Sequence, residues 1–140
     1  MKSTPGENIL DKNGNRVGST RTLFVETNAG GRAAFALESV AAMDYIFDVQ
    51  NVVVVHHSFC GTTTLTPELL IEEFHDHHAD ISTMFDHDSL AIMDFEQSLK
   101  YDIKLLRSSP AVPKRVKLYG FFYEISSGKL TEVVRDIPSL

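Results

Sequence analysis

The stretch Val52-Val53-Val54-Val55-His56-His57-Ser58-Phe59-Cys60-Gly61 decides the fold. Four consecutive β-branched residues without polar alternation predict a strand buried on both faces, as in a parallel sheet covered by helices. The residues after it predict a tight loop at the carboxyl end of that strand, where α/β proteins bind their ligands. Two of them, His57 and Cys60, stand three apart. Imidazole and thiolate are both good zinc ligands, and the short spacing brings two donors to one ion with little cost in loop closure. Gly61 is expected to let the backbone turn sharply just beyond. Catalytic zinc takes three protein donors, so on spacing alone the pair also reads as a small buried thiol beside a hydrogen-bonded loop histidine. A Cys60 nucleophile with His57 as its base is a further reading, less natural at this spacing than joint ligation.

Outward from this stretch the chain alternates strands and helices. Upstream, Arg21–Glu26 is a short β-prone run ending at Asn28-Ala29-Gly30-Gly31, and an amphipathic helix is expected from about Arg32 to Phe47, with Ala36, Val40, Met43 and Phe47 on one face. Residues 1–20, rich in Gly and Asn, predict a loose polar lead-in or a short hairpin ahead of a single domain over 21–140. Downstream, Thr66 caps a helix that starts at Pro67 and runs through Leu70 and Phe74. Residues 79–93 read as irregular. Asp94 and Gln97 then open a helix with a Phe95, Leu99, Ile103, Leu106 stripe, stopped at Ser109-Pro110. Val116–Ile125 and Leu130–Val134, joined by Ser126-Ser127-Gly128-Lys129, predict a closing β-hairpin. The fold class is α/β, a mainly parallel sheet flanked by helices.

The 140 residues are 43% hydrophobic, enough for one core, and their net charge of −6 comes without any basic patch, so nucleic acid is not an expected partner. No apolar run reaches the roughly twenty residues that span a bilayer, and no signal peptide is evident. One cysteine excludes an intrachain disulfide and suits the cytoplasm.

Asn28-Ala29-Gly30-Gly31-Arg32-Ala33, followed by Leu37-Glu38-Ser39-Val40 and then Val53-Val54-Val55-His56-His57-Ser58-Phe59-Cys60-Gly61-Thr62, closely resembles the β-class carbonic anhydrases, most of all their short microbial and fungal members. The likeness continues through Glu96–Leu99, Asp102–Pro110 and Gly120–Leu130, covering about residues 21–134. The resemblance implies zinc held by His57 and Cys60 together with a cysteine of a first strand, and a pocket wall of Asn28, Ala29 and Gly30, with Phe59 and Gly61 also lining it. It implies reversible hydration of CO2 to bicarbonate in a homodimer or higher oligomer.

The chain departs from that pattern. Cys60 is its only cysteine, no C-x-D-x-R motif occurs, and the usual first strand is expected to be missing, leaving sheet edges to be covered. His56 and Glu7 are the candidates for a substitute ligand, although strand alternation points His56 away from His57. His75, His77, His78 and His87, with Asp76, Asp80, Asp86 and Asp88, read as a solvated helix end and loop that could hold adventitious metal. Ser58, Thr62, Thr63 and Thr64 read as loop residues hydrogen-bonding locally. Three functions remain open: CO2 hydration if a third ligand is supplied, a catalytically degenerate association partner, and a different zinc hydrolase or lyase on the same scaffold.

Overall fold

The computed structural model describes residues 9–10, 16–18, 23–75, 92 and 94–139. A short antiparallel hairpin of β1 (Ile9–Leu10) and β2 (Arg16–Gly18) lies in the lead-in, the hairpin alternative of the sequence reading. Among the described residues the main sheet has three strands, in the order β3 (Asn51–His57), β4 (Lys117–Glu124), β5 (Lys129–Asp136). β3 and β4 are parallel, from Asn51 opposite Lys117 to His57 opposite Tyr123. β4 and β5 form the expected hairpin, closed at Gly128, whose φ of 70° suits glycine and whose N–H donates to Glu124 O at 2.8 Å. One parallel and one antiparallel pair make the sheet mixed.

Among the described residues the helices are α1 (Leu37–Phe47), α2 (Pro67–His75) and α3 (Phe95–Ser108). α3 shows why its sequence folds as it does. Asp94 accepts the Gln97 N–H at 2.9 Å as N-cap, and Leu99, Ile103 and Leu106 recur at helical spacing and are buried. They pack with Ala33, Val54, Val112, Val116 and Leu118 to form the core. At its end Arg107 donates to Val116 O at 2.7 Å and to Asp136 at 3.0 Å, tying the helix to β5 and to the loop before β4. Thr66 caps α2 as expected, its Oγ1 accepting the Leu69 N–H at 3.2 Å.

Three expectations are corrected. The helix expected from Arg32 begins at Leu37, because the chain first makes two 3-10 turns, Ala29–Gly31 and Ala33–Ala36, around an extended Arg32. The expected strand at Arg21–Glu26 is absent from its described part: residues 23–28 have no regular structure, and no described strand pairs with them. β3 is not buried on both faces. Val54 and His56 are buried, whereas Val53 is 53% and Val55 43% exposed. Lys117 N–H donates to Gln50 O and Ser58 N–H to Tyr123 O, so the even-numbered backbone groups of β3 face β4. Those of Asn51, Val53 and Val55 face the opposite side, where no strand lies among the described residues. The expected irregular run 79–93 lies outside the described residues apart from Ile92.

Candidate functional site

β3 delivers His56 and His57 to opposite sides, as its alternation requires. His56 enters the core and is 1% exposed, while His57 is half-buried at the strand's end. His57 Nδ1 lies 2.8 Å from Ser58 O. A carbonyl only accepts, so Nδ1 carries a proton; in the neutral ring this leaves the Nε2 lone pair free, the form in which imidazole binds a metal. Cys60 is buried, and its Sγ lies 3.0 Å from Thr62 Oγ1. Thr63 Oγ1 donates to Cys60 O and Thr64 Oγ1 to Gly61 O, both at 2.8 Å, the local bonding expected of these threonines.

Ser58 anchors the loop from outside. Its hydroxyl donates to Glu124 at 2.6 Å and accepts the Ile125 N–H at 2.9 Å. The Ser58 hydrogen bond holds the Glu124 carboxyl below its ordinary value against an opposing desolvation, and Ser126 adds a further lowering.

The sharp turn belongs to Phe59, with φ 57°, and not to Gly61, which is absent from the positive-φ positions and whose missing Cβ would meet nothing within 4 Å. An aromatic residue in the left-handed region is strained, and Phe59 is 84% exposed, so burial does not offset that strain. Phe59→Gly should therefore raise stability by about 0.5–1 kcal/mol, the relief of strain exceeding the added chain entropy. Gly61→Ala is the control and should change it by less than about 0.5 kcal/mol. Urea denaturation of both variants measures the difference.

The Asn28–Gly31 turn packs against this loop. A Cβ on Gly30 would lie 2.9 Å from Thr62 Oγ1, and one on Gly31 3.0 Å from Val55 O, and both glycines have positive φ. Asn28 closes the turn, its Oδ1 accepting the Arg32 N–H at 2.8 Å and its Nδ2 donating to Arg32 O at 3.2 Å. Ala29 is exposed at the rim. Asn28, Gly30, Thr62 and Cys60 thus form one connected wall, while Phe59 projects outward.

Among the described residues no group of three or more His, Cys, Asp or Glu could hold a metal ion. His56, one substitute candidate, faces Asp102 in the core, its Nε2 3.3 Å from Oδ2. Glu7, His77, His78 and His87 lie outside the described residues, as does the side chain of His75. The described residues thus have the donor chemistry of a zinc site but do not complete one. Sequence reasoning missed Arg32 and Asp102, a fully buried ion pair behind the turn.

No protein-family model matches the chain. The carbonic anhydrase of Streptococcus mutans is 32% identical with a TM-score of 0.65, and that of Glaciozyma antarctica 31% identical with 0.62; each match covers 76% of this chain and 64% of the other. Beta-carbonic anhydrase 1 of Mycobacterium tuberculosis is 27% identical over 99 residues, 69% of this chain. The chain spans 58% of the length of that curated relative. Sequence and fold agree with the N-A-G-G turn and the H-x-x-C loop, and in both the chain is similar to the β-carbonic anhydrases.

Proposed function

We propose that this chain is a carbonic-anhydrase-type domain that hydrates CO2 reversibly to bicarbonate when a third donor joins His57 and Cys60, and that it is silent without that donor. The observation that carries the reading is the prepared pair: His57 with Nδ1 committed to Ser58 O, three residues before a buried thiol. The lone cysteine suits a reducing compartment, and we place the protein in the cytoplasm. No helix among the described residues is long and apolar enough to cross a membrane.

The test is zinc content of the untagged protein with His75, His77, His78 and His87 substituted, so that adventitious binding is removed. About one zinc per chain, lost on Cys60→Ser, is the expected result, with CO2 hydration disappearing in the same variant. Folded protein without zinc sinks the reading.

The second reading, a non-catalytic family member that associates with itself or a complete relative, is favoured by one observation. The outward edge of β3, with exposed Val53 and Val55, is unpaired among the described residues. A zinc-free, folded, oligomeric protein supports this alternative, and we take a homodimer as its form.

A further inference from the structure

Asp102 on α3 is the centre of a cluster to which the site's chemistry gives no part. Its side chain and that of Arg32 are fully buried. Arg32 Nε donates to Oδ1 at 3.2 Å and to Oδ2 at 3.0 Å, and Nη2 donates to Oδ1 at 3.0 Å. The Ala33 N–H adds a bond to Oδ2 at 3.2 Å. His56 Nε2 lies 3.3 Å from the same oxygen, without the alignment of a hydrogen bond.

One carboxylate therefore sits between two pieces of chain that flank the His57–Cys60 loop, hydrogen-bonded to the segment that follows the first and in close approach to the second. The first is the Asn28–Gly31 turn, which Asn28 closes onto Arg32. The second is the end of β3, where His56 immediately precedes His57. The turn and the loop meet where Gly30 approaches Thr62, whose hydroxyl touches Cys60 Sγ. The two Asn28–Arg32 hydrogen bonds couple the position of Arg32 to that of the turn.

We propose that Asp102 is a positioning residue, which sets the Asn28–Gly31 turn against the His57–Cys60 loop and so closes the pocket wall over Cys60. It touches no substrate itself. The inference rests on reading that loop as the site, and it needs no metal to be bound there.

The single cysteine gives a direct readout. The rate at which Cys60 reacts with an aromatic disulfide such as DTNB is measured on the full chain, with chelator present, well below the melting temperature. Asp102→Asn should speed the reaction on the order of tenfold, as expected for local opening of the wall. Arg32→Lys should act likewise, because it keeps the charge but loses the two-pronged grip. The control is a core substitution on the same helix, Ile103→Val, compared at equal distance below each variant's melting temperature; it should leave the rate near wild type. Equal rates in Asp102→Asn and Ile103→Val overturn the proposal. If Asp102→Asn does not fold, Asn28→Ala loosens the turn alone, and an unchanged rate there overturns it equally. Zinc content is a separate measurement: a zinc-free wild type with these rate differences removes the carbonic anhydrase reading and leaves the positioning role standing.

Discussion

Asp102→Ala should cost about 3–5 kcal/mol of stability, the range for removing one partner of a buried ion pair. The magnitude follows from what is left behind. Arg32 is fully buried, so the guanidinium that loses its carboxylate cannot turn to bulk water without displacing the Asn28–Gly31 turn. The Ala33 N–H loses its acceptor as well. Asp102→Asn keeps the volume and one acceptor oxygen and should lose less, about 2 kcal/mol. The double replacement Arg32→Met with Asp102→Leu should recover most of the single-variant loss, because the desolvation of both ions then vanishes together. Urea denaturation of the three variants measures this. Against a typical total of about 5–15 kcal/mol, the alanine variant alone should remove a large fraction of the stability. A double variant no more stable than Asp102→Ala would mean that the shape of the pair, and not its charge, holds the turn.

The contrast between that pair and the rest of the site shows what a sequence makes legible. The Val52–Val55 run gave β3, and the His57–Cys60 spacing gave the loop, because both signals are local. The hairpin of β4 and β5 and the stripe of α3 were legible for the same reason. Arg32 and Asp102 are 70 positions apart, and no periodicity links them. A signal did exist: Asp102 stands inside the stripe of Leu99, Ile103 and Leu106, where an acidic residue at helical spacing must be buried with a partner. The errors have physical causes too. The apolar run at residues 23–25 has strand propensity, but propensity forms no strand without a neighbour to pair with. A run of valines predicts burial on both faces, yet such a run reports residue preference and not whether both faces of the sheet are covered. Phe59 took the left-handed position that glycine usually fills, which residue type alone argues against.

Leu99→Ala should cost about 3–5 kcal/mol, in the upper part of the range for large-to-small core changes. Two features keep the space from closing. Across from Leu99 stands Gly120 on β4, where a Cβ would lie 3.5 Å from Leu99 Cβ; a glycine has no side chain to swing into the gap. The helix is also held along its length, by Asp102 to Arg32 near its middle and by Arg107 to Val116 and Asp136 at its end. It cannot settle onto the sheet without breaking one of these. Leu69→Ala, at an exposed position of α2, should change stability by less than about 0.5 kcal/mol and serves as the reference. Urea denaturation with an unchanged slope distinguishes a cavity in an intact fold from a loosened native state. A loss below about 1 kcal/mol would mean that α3 does move into the gap, and the Arg32–Asp102 and Arg107 contacts would then be too weak to hold the helix in place.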